Sequence, residues 1–160
     1  MAKIVPNENS WIGFATNQPS DLQAPTAAEV AAATDLTGFT VSINASAQGN
    51  TVPTPALDSL FETSVPGTSA ATFQADFYRD DADDAAWDLL IRGVTGVFYI
   101  SRFGGSNPGD FMPVAADKVE AWPVQITSRA AGPLSSNTVQ TFTVTAAVNI
   151  EPAENATVAA

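Results

Sequence analysis

The spacing of apolar and polar residues divides the chain into a run of strands interrupted by one well-marked helix. Phe39, Val41, Ile43 and Ala45 alternate with Thr40, Ser42, Asn44 and Ser46, the period of a strand with one buried face. Phe73, Ala75 and Phe77 alternate with Gln74 and Asp76 in the same way. The period then changes. Ala82, Ala85, Ala86, Leu89 and Leu90 form a one-sided stripe that predicts a helix over residues 81–92, stopped by Gly93. Val94 to Phe103 reads as a strand with apolar residues on both faces (Val97, Phe98, Tyr99, Ile100), expected to lie between that helix and a second sheet. Trp122, Val124 and Ile126 share one face of a strand from Val119 to Thr127, where Pro123 predicts an edge or a bulge. The longest alternation, Thr138 to Ile150, sets Phe142, Val144, Ala146, Val148 and Ile150 against Thr141, Thr143 and Thr145.

The segments between these elements are also informative. Pro25-Thr26-Ala27-Ala28-Glu29 has the form of a capping box and predicts a short helix near 26–33. Residues 1–24 carry a short apolar knot at Trp11, Ile12 and Phe14 and read as a docking arm or a first strand. Residues 48–70 are too long for an idle connection, and predict a functional loop or a splayed hairpin. Within them Pro66-Gly67 suits a type II turn with residues 57–62 and 72–78 as arms. Residues 151–160 read as a mobile polar tail. The expected architecture is a single mainly-β domain over residues 1–150, a β-sandwich or barrel with one flanking helix and a possible second short one.

Composition narrows the chemistry. The 160 residues contain no Cys and no His, which removes disulfides, thiolates and imidazole at once. The net charge is −11, and from Ile4 to Tyr78 there is no Lys or Arg at all. Nucleic-acid binders neutralise phosphates with Lys and Arg, so this balance opposes tight DNA binding. Only 14% of residues are charged, which suits a surface partly covered by neighbouring molecules. The first residues lack the apolar core of a signal peptide and no run reaches the length of a membrane span, so a soluble chain made in a cytoplasm is expected.

Candidate sites are few. Asp80, Asp81, Asp83 and Asp84 do not follow the alternate-position ligand pattern of a calcium loop. They suit the positive end of a helix dipole, where each carboxylate is worth about 0.3–1 kcal/mol, and are read as helix-capping acids. Trp11, Trp87 and Trp122 have no spaced carboxylate pair beside them that would mark a glycosidase. The glycines of Gly104–Gly109 lack the Lys and following helix of a phosphate cradle. No catalytic, cofactor-binding or metal-ligating residue is expected. The hydroxyl faces (Thr40 and Ser42; Thr141, Thr143 and Thr145) suit either solvent or a neighbouring subunit.

Taken in order, PTAAEVAAATDLTGF, VPGTSAATFQADFYRDDADDAAWDLL, GVFYISRFGG and EAWPVQITSRAAGPLSSNTVQTFTVTAAV resemble major tail tube proteins of long-tailed bacteriophages, most of all the short single-domain forms of actinobacterial phages. The resemblance covers about residues 25–150 and rests on element order and phrasing. It implies a β-sandwich or barrel whose copies form hexameric rings, closing an inner β-barrel around a lumen and stacking head to tail. The long loop and the N-terminal arm are the implied ring-to-ring contacts. Implied partners are further copies of the chain and the tape-measure, tail-tip and tail-terminator proteins, with DNA passing through unbound during ejection. The implied location is the virion tail, assembled in the host cytoplasm, with no enzyme activity, cofactor or membrane. A lumen that must not hold DNA suits the stretch free of basic residues, so Asp58 and Glu62 are the hypothesised lumen-facing acids. A wall built on the hairpin with Arg102 and Lys118 is disfavoured because it would bring cations to DNA. The alternative function is a virion decoration protein or a surface β-sandwich binding module, with Trp11 as its aromatic platform.

Overall fold

The computed structural model describes residues 9–160, so the part of the expected arm that falls in residues 1–8 lies outside the described residues. Eight strands and two short helices follow in the order β1 (Trp11–Ala15), α1 (Ala27–Ala31), β2 (Thr34–Asp35), β3 (Thr40–Thr54), β4 (Thr63–Tyr78), α2 (Ala85–Leu89), β5 (Thr95–Ser101), β6 (Lys118–Ala131), β7 (Thr141–Val148) and β8 (Ala153–Thr157). All pairings between strands are antiparallel, in the order β2-β1-β5-β6-β7-β4-β3, with β8 also on β6.

The sheet doubles back on itself through β6. Its first half pairs with β5 on one edge and β8 on the other, and its second half pairs with β7. The β8 pairing ends at Ala121 and the β7 pairing begins at Val124, so Pro123, with no N–H to give, falls in the gap. A bulge between Ile126 and Ser128 bends the strand further. As a result β5 lies against β4, three strands away in the sheet order. Phe98 stacks on Phe73 at 4.6 Å and meets Phe14 at 4.7 Å. These rings, with Phe77, Trp122, Val124, Ile126, Phe142 and Val144, form the main core between the two layers.

The alternations expected for β4 and β6 are met, with Phe73, Ala75 and Phe77, then Trp122, Val124 and Ile126 buried. That of β7 holds for Phe142, Val144 and Ala146, but the strand is Thr141–Val148, Val148 is partly buried, and Ile150 lies beyond it and is exposed. β5 is buried on both faces, yet the second cover is not the helix expected. Val97 and Tyr99 point into a separate cluster with Trp11, Val30, Val119, Ala153, Ala156 and Val158, roofed by α1 and the C-terminal segment. α2 instead caps the main core through Ala86 and Leu90.

Other expectations are corrected. The helix predicted over 81–92 is shortened to Ala85–Leu89 because the Asp80 carboxylate takes the N–H groups of Ala82 and Asp83 into a turn of its own. Val41 does not join the buried face of β3. It is the extra residue between the Thr40–Phe77 and Ser42–Asp76 pairs, and it is exposed. Pro66-Gly67 is not the hairpin turn: it lies within β4, beside the irregularity opposite Gly49 and Thr51, and the chain reverses over residues 55–62. Residues 11–15 of the expected arm form a fully buried strand between β2 and β5. The expected tail holds β8 and is pinned on both sides, by Val158 N–H to Asp117 O and by Ala159 N–H to Pro25 O. Its anchor is apolar: Ala153, Ala156 and Val158 are all buried.

Candidate functional site

Four strand segments, β3, β4, β7 and the second half of β6, turn one face to the core and the other outward. Their registers align Ser42 with Asp76, Thr143 and Ala130, and align Asn44 with Gln74, Thr145 and Ser128. The outward face is therefore a lattice of hydroxyls and amides with Asp76 as its acid and no Lys or Arg among these aligned positions. Ser42 Oγ donates to Asp76 Oδ2 at 3.1 Å and Thr143 Oγ1 donates to Asp76 Oδ1 at 2.6 Å. Ser46 and Thr72 hydroxyls pair at 3.2 Å. Small hydroxyls here bond each other or the Asp76 carboxylate across neighbouring strands, which leaves the face polar and free of cations.

This four-stranded face is bordered by two backbone edges without a strand partner among the described residues. β3 pairs with β4 alone. β6 loses its β5 neighbour after Ile126, whose N–H bonds Val94 O and whose carbonyl accepts from Gly93 N–H, leaving residues 127–131 open on that side. Because β3, β4, β7 and β6 alternate in direction, the two open edges run antiparallel to each other. An edge of this kind is a template for another chain.

The expected long loop is the far part of a hairpin. β7 stops pairing with β4 at Thr72, so residues 63–71 pair with β3 alone and carry a ribbon about 30 Å beyond the sheet. Every residue from 47 to 70 is exposed. Asp58 and Glu62 lie in the reversing segment at the tip, among Leu57, Leu60 and Phe61, which are 111%, 109% and 76% exposed. The structure thus separates these two acids from Asp76 and the polar face.

At the other end of β4 lies the aspartate cluster. Asp80 accepts from Ala82 and Asp83 N–H, and these bonds lower its pKa. Asp84 holds the N-cap position of α2 without a side-chain capping bond, its Oδ2 committed to Arg79 at 2.6 Å. Asp81 and Asp83 are exposed. Arg79 and Arg129 sandwich the Trp87 ring at 3.9 and 3.7 Å, Arg129 Nη1 donates to the Trp87 carbonyl, and the ring edge meets Phe142. Sequence spacing could not reveal this stack, since it joins residues 42 apart. Arg102 is held by a two-point bond to Glu120, with Oε1 at 2.5 Å, on the layer away from the polar face.

No curated protein shows a significant sequence match. The sequence model of the family described as phage tail tube protein matches residues 1–160. Among solved structures, the chain is similar to a protein of the virion of a native gene transfer agent particle, at TM-score 0.56 and 16% identity, over 93% of this chain and 97% of that one. It is similar to a protein of the tail of an empty gene transfer agent particle, computed with helical refinement and C6 symmetry, at TM-score 0.51 and 17% identity, over 75% and 84%. A protein of the six-fold symmetrised anti-feeding prophage baseplate gives TM-score 0.58 at 10% identity, over 95% of each chain.

Proposed function

Because the chain belongs to the phage tail tube protein family, structural components of the virion tail, we propose that it is the major tail tube subunit and that six copies close into each ring of a hollow DNA conduit. The observation that carries this reading is the four-stranded polar face with an open, oppositely directed edge on each side. Pairing β3 of one copy with the second half of β6 in the next extends the sheet antiparallel around a ring, and closure removes both edges. The face then lines the lumen with hydroxyls, amides and the Asp76 carboxylate. Phosphates find no cation to hold them, and DNA slides.

The lumen assignment hypothesised for Asp58 and Glu62 passes, in this reading, to Asp76, while the hairpin tip reaches along the tube axis toward the next ring. The six-fold symmetry of two of the similar structures supports the ring number. The function is structural, with no catalytic step. Assembly takes place in the host cytoplasm around a tape-measure protein, with tail-tip and terminator proteins closing the ends. Concentrated purified protein viewed by electron microscopy tests the reading. Hollow rods whose class averages show six-fold rings are expected, whereas protein that stays monomeric at high concentration would overturn it and favour the decoration-module alternative.

A further inference from the structure

The hairpin tip and the surface around Leu134 sit at opposite ends of the same strand. β4 runs from Thr63 beside the tip to Tyr78, and Arg79 N–H then bonds Gln140 O at the start of β7. There a groove of about 700 Å³ opens between Arg79–Asp81 and Ala131–Leu134, with Gln140 on its wall. Leu134 is 89% exposed and Val139, on the same β6–β7 connection, is 65% exposed. The tip presents Leu57, Leu60 and Phe61 on a two-stranded ribbon, and such a ribbon is marginal in water without further cover. Two apolar groups at opposite ends of one subunit, each exposed among the described residues, match the demand of a head-to-tail contact that does not close.

We propose that Leu57, Leu60 and Phe61 of one subunit seat in the Arg79–Leu134 groove of a subunit in the next ring. This rests on the tube reading and names the receiving surface for its stacking contact. The charged groups around the groove are mostly committed within their own subunit. Arg129, stacked on Trp87 beside Arg79, has no carboxylate partner among the described residues, and Asp84 is already bound to Arg79. Asp80 is turned to the N–H groups of Ala82 and Asp83, leaving Asp81 as the uncommitted acid on the rim. Arg129 is itself bonded to the Trp87 carbonyl and does not line the groove, so the contact rests on Leu57, Leu60 and Phe61 rather than on Asp58 or Glu62. Other occupants, such as the tip of a second hairpin, are outcomes of the test.

The chain has no cysteine, so introduced pairs report contacts cleanly. Tubes mixed from equal amounts of Phe61→Cys and Leu134→Cys subunits are oxidised and run on a non-reducing gel. Covalent dimers in the mixture, with monomers only from tubes of either single variant, are expected, since a disulfide forms only when the Cα atoms come within about 7 Å. Tubes that yield no dimer overturn the inference, and so do dimers from Phe61→Cys alone, which would mark tip-to-tip contact. Leu134→Glu is a second arm that does not disturb the core, because the side chain is almost fully exposed. It is expected to raise the concentration needed for tube formation by about tenfold or more, by replacing the apolar contact at Leu134 with a charge beside Asp80 and Asp81. Unchanged assembly of folded Leu134→Glu overturns the inference while leaving the tube reading intact. A wild-type protein that forms no tubes defeats the tube reading itself.

Discussion

Tyr99 lies in the second core with its side chain fully buried and its hydroxyl without a hydrogen-bond partner among the described residues. Tyr99→Phe removes that oxygen and leaves the ring in place. An unsatisfied buried polar group costs about 1–3 kcal/mol, so the variant is expected to be more stable by about 1–2 kcal/mol. For a domain of this length that is a rise in Tm of about 2–4 °C for each kcal/mol. Burial, with the Glu29 carboxylate adding to it, also pushes the phenol from its ordinary 10.0 up to about 12. In the unfolded chain the phenol ionises near pH 10, so between pH 10 and 12 the unfolded state binds fewer protons than the native one. Stability from this group is whole below pH 10 and is lost as pH rises toward 12, at up to about 1.4 kcal/mol per unit. The gap between wild type and Tyr99→Phe should therefore widen across that window. Urea denaturation of dilute subunits, followed by Trp fluorescence from neutral pH upward, measures both effects. A variant less stable than wild type at neutral pH would refute the reasoning, since the hydroxyl would then be bonded. A native phenol that titrates near 10 would do the same, since solvent would then reach it.

Three further outcomes follow from the geometry. Trp87→Ala loses a half-buried ring, its edge contact with Phe142 and two guanidinium stacks, and should cost about 2–3 kcal/mol in urea denaturation, with Trp87→Phe losing less. Gln74→Lys adds a cation to the outward face of every subunit; folded tubes of this variant should retain DNA in a salt-sensitive way, measured by co-sedimentation, and DNA-free tubes would count against that face lining the lumen. Replacing residues 48–70 by an Asn-Gly turn between the paired Ala47 and Ala71 should leave native near-ultraviolet circular dichroism while blocking tube growth; filaments of normal length would exclude the hairpin from the stacking contact.

The sequence was most legible where one physical cause set the pattern. Thr26 and Glu29 form the expected reciprocal capping bonds because they need only local geometry. The inward residues of β4 and β7 were legible because burial on one face imposes a period of two. What alternation cannot carry is pairing. Nothing in the spacing says that β4 sits between β7 and β3, and only that neighbourhood turns Ser42, Asp76 and Thr143 into one hydroxyl–carboxylate row. Bulges were equally hidden: Val41 fits the apolar period, yet its extra backbone unit takes it out of the face. Pro66-Gly67 carries turn residues, but the long pairing of β3 with β4 on both sides of it outweighs that local preference. β8 was missed because Ala153, Ala156 and Val158 are small and irregularly spaced, and they are buried by what lies above them rather than by their own hydrophobicity.

Strand polarity constrains the proposed ring without fixing its size. Each subunit contributes four strand segments to the polar face, and with that even number its two open edges run in opposite directions. A neighbour can therefore always pair antiparallel, whatever the number of copies. The angle between neighbours must be set elsewhere. It follows from how far the outer layer of β1, β5 and the first half of β6 holds the inner four segments in curvature, and the wedge between the layers is filled by Phe14, Phe73, Phe98 and Trp122. Close-packed interiors respond to a change of volume by shifting elements rather than by absorbing it. In the proposed ring the aromatic core would then set the angle between neighbours, and the two edges would set whether neighbours pair. A subunit altered in the core would still polymerise, with a different curvature. One altered at either edge would not close at all.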